Sequence, residues 1–314
     1  MVNSMAKNYS DGLSKRKIKN AVFYSVMMAW PIFQFIVFYI GVNFNSIILA
    51  FKDYNNDLGV YEFAGFSNLK IVIDRITRDS NMLTYLKNSI LFYVIGIFGT
   101  LLALLFSYYI YKKLTGYKFF RLVLYLPSII SPIVLSIIFR YLVDRAMPDI
   151  FGDLFHKEIL GLFVNGKTMM PTLIFYNLFL SFGVNVLMYS SAMSSIDDSV
   201  IESASLDGVT PVREFWSIVV PLIFPTLATF LVVGVAAIFT NQAQLFALFG
   251  AESCPEQLYT VGYYLYANTY LAVAYATDGS YPLLSAYGVV LTIVAVPLTL
   301  LVRWLLNKFG PSAE

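Results

Sequence analysis

Long apolar runs separated by short charged stretches set the pattern of this chain. Asp, Glu, Lys and Arg are absent over 20–51, 88–111, 122–139, 168–196, 215–251, 257–277 and 279–302. Six of these runs are rich in Leu, Ile, Val and Phe, and about 20 mostly apolar residues are enough for a helix to cross the hydrocarbon core of a bilayer. They predict transmembrane helices near 22–44, 88–111, 120–141, 170–192, 219–243 and 283–306. The run 257–277 differs, carrying Tyr259, Tyr263, Tyr264, Tyr266, Tyr270 and Tyr275 with Asn268 and few aliphatic residues. Tyrosine favours the membrane–water boundary, so this segment reads as an interfacial or external helix. A Tyr-rich seventh span is the competing reading.

Composition excludes the soluble alternatives. Of 314 residues, 58% are hydrophobic and 13% charged, against about 25% charged in soluble domains. Mean hydropathy is +0.70. A soluble monomer of this composition would expose apolar patches far above the tolerated few hundred Å². A net charge of +2 is too small for a nucleic-acid binder that works by neutralising phosphates. One cysteine, Cys254, and one histidine, His156, leave no disulfide, thiolate cluster or His-rich metal site to build. No resident cofactor and no covalent chemistry are expected. The dense acid set Asp197, Asp198, Glu202 and Asp207 lacks a histidine or metal partner.

Basic residues orient the chain. Lys7, Lys15, Arg16, Lys17 and Lys19 precede the first span, Lys112, Lys113, Lys118 and Arg121 fill the loop between spans two and three, and Arg303 and Lys308 close the last. Lys and Arg stay on the cytoplasmic side, so both termini and the loops 112–121 and 193–218 are expected there. The segments 45–87, 142–169 and 244–282 are then external. The first span mimics a secretory signal, but its apolar run exceeds the usual length of about 7–15 residues, which makes it an uncleaved span. The expected organisation is a cytoplasmic segment 1–20, a six-span domain 21–308 and a cytoplasmic tail 309–314.

The loop 196–221 after span four has legible local physics. Asp197 and Asp198 suit a helix start, a short helix can run to about Leu206, and Gly208 is a natural left-handed terminator. Thr210-Pro211 is a cap followed by proline in the first helical position. Two short helices with a glycine joint are predicted. Within this loop Glu202-Ser203-Ala204, Asp207-Gly208, Ile218 and Val220-Pro221 resemble the "EAA" loop of bacterial ATP-binding-cassette importer permeases, EAAxxDG-x9-I-x-LP. Ser203, Val209 and Val220 depart from that pattern without changing size or polarity much.

The likeness covers about residues 20–308. Phe51-Lys52-Asp53-Tyr54 and Phe119-Phe120-Arg121-Leu122-Val123-Leu124-Tyr125-Leu126-Pro127-Ser128 resemble the carbohydrate-type group of the binding-protein-dependent transport family, the MalF/UgpA/LplB-like permeases. Gly250-Ala251-Glu252-Ser253-Cys254-Pro255 departs from that group, which often has a Gly-Gly-Pro run there. The resemblance implies an all-α integral membrane protein with the MetI-like fold of type I importer permeases, in a bacterial cell membrane. It further implies import of a sugar, an oligosaccharide by expectation, delivered by an external solute-binding protein. A second homologous permease and separate ATPase subunits, which use ATP and Mg, complete the implied assembly. Glu202, Ala204, Asp207, Gly208, Ile218 and Pro221 take the ATPase-coupling role by the same resemblance. An ion-gradient-driven secondary transporter is the alternative; it would want an intramembrane carboxylate, and the spans contain none.

Two further features bear on function. Gly161-Leu162-Phe163-Val164-Asn165-Gly166-Lys167-Thr168 matches the phosphate-binding pattern G-x-x-x-x-G-K-T, but that pattern needs a strand before it and a soluble α/β domain around it. Asn165-Gly166 reads as a turn, and the motor must be another polypeptide. Inside the spans, Asn177, Ser181, Asn185 and Tyr189 recur every fourth residue and share one helical stripe, and Asn241, Gln242 and Gln244 follow span five. Polar residues in spans line pathways or join helices, and both readings stand. Neutral amides and aromatic rings suit a neutral polyhydroxyl ligand. Asn177-Leu178-Phe179-Leu180 resembles the sugar-lining segment of maltose-type permeases.

Overall fold

A computed structural model describes residues 2–311, with side chains described from Lys17 onward. Residues 312–314 of the expected tail lie outside the described residues. The backbone is helical from Val2 into the first span. That span, α1, covers Lys17–Leu49, and a π-helical turn interrupts it at Phe35–Gly41. It packs on its own chain only near its C-terminal end, and its side chains are otherwise exposed.

A hairpin follows, the one departure from all-α architecture among the described residues. β1 (Lys52–Asn55) pairs antiparallel with β2 (Val60–Phe63), Lys52 opposite Phe63 and Asn55 opposite Val60. Asn55 Oδ1 closes the turn by accepting from the backbone N–H groups of Asp57 and Leu58. The short helix α2 (Ser67–Arg78) leads into α3 (Ser80–Tyr111), which is capped by Asp79 accepting from Asn81 N at 2.9 Å.

The expected third span is broken. α4 (Tyr117–Ile129) and α5 (Pro132–Phe155) meet at a bend of 100°. Proline restricts the residue before it to extended backbone, and Ser131 accordingly sits at φ −53°, ψ 129° with Pro132 opening α5. The continuous helix expected over 120–141 is therefore corrected to two helices. α6 (Met169–Met193) is a straightforward span, and with α1, α3, α8 and α11 it makes five apolar helices of spanning length; the bent pair counts as a sixth.

α7 (Asp198–Leu206) lies in the loop, and α8 (Pro211–Ala236) is longer at its start and shorter at its end than the expected 219–243. The second short helix expected in the loop is the first turn of α8, running on through a π-helical turn at Phe215–Val219. α8 stops at Ala236 because the chain turns over 237–244, where Ala243 and Gln244 take φ of +48° and +59°. α9 (Leu245–Phe249), α10 (Val261–Ala274) and α11 (Asp278–Phe309) complete the chain. With 14 residues, α10 extends about 21 Å, short of a bilayer core of about 30 Å; the interfacial or external reading of 257–277 agrees with this length.

Packing gathers the connecting segments at two ends. Segments 45–87, 142–169 and 244–282 share one end, through Asn81 to Glu256 at 2.8 Å, Phe163 against Phe249 and Tyr61 OH donating to Asp278 O. The opposite, basic end joins the 112–116 turn to the start of α8. Between them α6 is held by glycine contacts. A Cβ on Gly183 would lie 1.8 Å from Leu124 O on α4, and one on Gly99 of α3 would lie 2.7 Å from Leu178 Cδ2. Close backbone approach of this kind drives helix association where lipid supplies no hydrophobic force.

Gly183→Val is therefore expected to force α4 off α6 at a cost of about 1–3 kcal/mol or more, read as a lower thermal unfolding midpoint in detergent. Gly96→Ala, with nothing within 4 Å of the added carbon, should leave the midpoint unchanged. Equal midpoints for the two variants would contradict the packing.

Candidate functional site

A cavity of about 500 Å³ opens to one side of the bundle between α3, α6 and α8. Its size falls within the range of about 300–1,000 Å³ usual for small-molecule sites. The α6 stripe faces it whole: Asn177, Ser181, Asn185 and Tyr189 all line the cavity, as their four-residue spacing requires. α3 contributes Phe92, Tyr93, Gly96 and Thr100, and α8 contributes Phe230 and Gly234. Gly234 makes room for the Tyr93 ring, since a Cβ there would lie 3.0 Å from Tyr93 Cε2. No Asp, Glu, Lys or Arg lines the cavity among the described residues.

The end of α8 supplies the remaining polar wall. Asn241 and Gln244 line the cavity, whereas Gln242 does not. The left-handed residues Ala243 and Gln244 turn the chain at this point, which separates Gln242 from its polar neighbours. The turn is held from three directions. Asn177 Nδ2 donates to Ala243 O at 3.0 Å, Thr260 Oγ1 donates to Asn241 O at 2.8 Å, and Asn241 Oδ1 accepts from Ala243 N at 2.9 Å. Asn177 Nδ2 also donates to Leu173 O at 2.9 Å and Ser181 Oγ to Asn177 O at 2.9 Å. Asn177 thus joins helices and lines the cavity at once, offering its Oδ1. The Asn185 amide makes no hydrogen bond among the described residues, so both its donors and its acceptor remain for a ligand.

The loop at the basic end is a second surface. Asp197 caps α7 by accepting from Ser199 N at 2.9 Å, and that bond holds its carboxyl below the ordinary carboxylate range. At the other end Val209 N donates to Ala204 O at 3.1 Å and Gly208 N to Ser205 O at 3.1 Å, with Gly208 at φ +70°. This is a Schellman termination, which needs a left-handed residue one place beyond the cap.

The six motif residues divide. Glu202, Asp207 and Gly208 are exposed, Ala204 is buried beneath them, and Ile218 and Pro221 are half-buried in the first turns of α8. The outer three are open to a partner, and the inner three lie on the side of the loop that meets the bundle. Leu206 is 89% exposed and Val212 70% exposed on the same surface, and neither stood out in the sequence, because isolated aliphatics in a loop carry no pattern. Tyr93 and Phe230 were equally hidden among the apolar residues of their spans.

The phosphate-loop look-alike folds as turns over 162–168, with Thr168 Oγ1 donating to Leu162 O at 2.6 Å and no strand before it. Cys254 is buried and its thiol is pushed up to about 12 by that burial.

A multi-pass helical bundle with an uncharged polar cavity along its spans and an exposed structured loop at its basic end is the architecture of a membrane permease. Residues 95–314 match the family described as binding-protein-dependent transport system inner membrane component. The chain belongs to that family. It is 31% identical over 196 residues to a probable ABC transporter permease protein, the MG188 homolog of Mycoplasma pneumoniae, covering 59% of this chain and 57% of that protein. It is 23% identical over 240 residues to the multiple sugar-binding transport system permease protein MsmF of Streptococcus mutans, covering 75% of this chain and 80% of that one. The fold is similar to a chain in the crystal structure of a bacterial alginate ABC transporter in complex with alginate pentasaccharide-bound periplasmic protein, at a TM-score of 0.72 and 19% identity, covering 93% of this chain and 96% of that chain.

Two asparagines on one stripe should behave differently. Asn177→Leu strands the Ala243 carbonyl and is expected to cost about 1–3 kcal/mol, seen as a lower unfolding midpoint. Asn185→Leu breaks no hydrogen bond and should shift stability by less than about 0.5 kcal/mol. Equal losses in both variants would remove Asn177 from its bracing role.

Proposed function

We propose that this chain is the transmembrane subunit of an ATP-driven importer that passes a carbohydrate, an oligosaccharide by class, through the cavity between α3, α6 and α8. The observation that carries this reading is the pairing of an uncharged, amide- and tyrosine-lined cavity with an exposed, rigidly capped loop at the opposite, basic end. Amides satisfy hydroxyl groups and aromatic faces stack on sugar rings. An acidic solute would call for a cation in the wall, and the lining residues include none. The likeness to MsmF, named for multiple sugars, supports the same class.

The assembly follows from the resemblance of the loop 196–221 to a coupling loop. ATP and Mg are assigned to separate ATPase subunits that dock on its exposed residues Glu202, Leu206, Asp207 and Gly208. An external solute-binding protein delivers the sugar at the tyrosine-rich end. α1, left largely unpartnered, and the open side of the cavity both fit a second homologous permease as the other half of the pathway. Both termini and the loop 196–221 then face the cytoplasm, as the basic residues at that end require. ATP binding draws the loops together, and a two-state repacking of the bundle exposes the cavity to alternate sides.

Co-purification with the ATPase tests the docking. Glu202→Lys and Asp207→Lys are each expected to weaken association by about tenfold or more, equivalent to about 1.4 kcal/mol, and to abolish uptake while membrane insertion is retained. Unchanged association and uptake in both would remove the coupling assignment. Uptake that survives collapse of the membrane potential with ATP maintained is the expected energetic signature; uptake that stops would favour an ion-driven transporter.

A further inference from the structure

The buried carboxylate of Glu214 has no place in the docking surface or the cavity. It is 5% exposed in the first turn of α8. Lys112, which ends α3 102 residues earlier, places its Nζ 2.7 Å from one carboxylate oxygen and 3.0 Å from the other. Tyr108, one turn back on α3, donates its hydroxyl to Pro211 O at 3.2 Å, and its ring meets Phe215 edge-on at 5.1 Å. The Lys112 ammonium also lies 5.8 Å from the centre of the Tyr108 ring. Two adjacent turns of α3 therefore grip the first turn of α8 where the loop becomes a span.

Burying an ion pair is a poor way to gain stability, since desolvation offsets the Coulomb attraction and well-packed apolar residues often do as well. The best-attested use of such a pair is to fix one register between elements. Here the elements it fixes are the loop exit and α3. About 20 residues from Lys112, or roughly 30 Å along the helix, α3 presents Phe92 and Tyr93 to the cavity. Along that length α3 is locked to α6, by the Gly99–Leu178 contact and by Ser107 Oγ donating to Val186 O at 2.9 Å.

We infer that Lys112 and Glu214 are positioning residues for transport: their ion pair makes α3 move with the loop, so that a displacement at α7 reaches the α3 wall of the cavity as well as α8. This rests on the reading of the chain as an ATP-driven permease. Without the pair, a push on the loop would bend α8 at its π-helical turn, Phe215–Val219, and leave α3 behind.

The test uses the full transporter, with its ATPase, partner permease and binding protein, rebuilt in proteoliposomes and supplied with its sugar. The readout is solute moved per ATP hydrolysed, in Glu214→Gln, Lys112→Met and the exchanged pair Lys112→Glu with Glu214→Lys. The single variants are expected to assemble and hydrolyse ATP while moving roughly tenfold less solute per ATP, within the range of about 5- to 150-fold for coupling between sites. The exchanged pair should recover most of that ratio. A merely structural pair would lower the amount of assembled complex and leave the ratio in the remaining complex at the wild-type value, and that result overturns the inference. Failure of all three variants to assemble assigns the pair to folding and overturns it equally. Wild-type complex that shows no ATP-driven uptake would instead count against the proposed function itself.

Discussion

A backbone polar group inside a bilayer has no water to bond, so irregular backbone survives there only where protein or a wet cavity satisfies it. That constraint explains how this bundle is built. Its spans are interrupted at Ile130–Ser131 and again over 237–244, and the second interruption is braced by Asn177 and Thr260, which bond the carbonyls of Ala243 and Asn241. The bracing has a consequence for function. Ending α8 at Ala236 turns Asn241 and Gln244 toward the cavity, so the device that satisfies the backbone also furnishes the polar wall. One amide, Asn177, does both: it braces the turn and lines the cavity.

The two ends of the molecule solve different problems. At the tyrosine-rich end, Tyr259 and Tyr264 each pack at a tilt against Tyr85, and Tyr85 and Asn81 both bond the Glu256 carboxylate. Many partners share the load there, so the surface keeps its shape. At the basic end a short capped helix stands proud of the bundle, tied back by Ala204 beneath it and by the Lys112–Glu214 pair beside it.

What the amino-acid order reveals and what it hides follow from the range of the forces involved. Capping by Asp197, termination at Gly208 and the start of α8 with Pro211 in its first position depend on neighbours within a few residues, and all three form as their chemistry predicts, while the Thr210 side chain makes no capping hydrogen bond. The α6 stripe depends only on helical period, and it faces the cavity. The break in the third span falls at Ser131-Pro132, and a Pro in an apolar run is compatible with a kink or a break, which local sequence does not decide. That Gln242 lies off the cavity wall was hidden, because its direction depends on two left-handed residues without glycine, Ala243 and Gln244, which local propensity disfavours. The Lys112–Glu214 pair spans 102 residues, and nothing local in either half points to the other: Lys112 reads as one more topogenic cation and Glu214 as one more loop acid.

The account stands on the loop 196–221 facing the compartment that holds ATP. Leu206→Cys tests this directly, because Leu206 is 89% exposed and the natural Cys254 is buried with its thiol raised to about 12, leaving it silent to maleimides. A membrane-impermeant maleimide is predicted to label Leu206→Cys in inside-out vesicles, to leave it unlabelled in intact cells, and to be excluded when the ATPase is bound. Labelling in intact cells would place the loop outside and contradict the account.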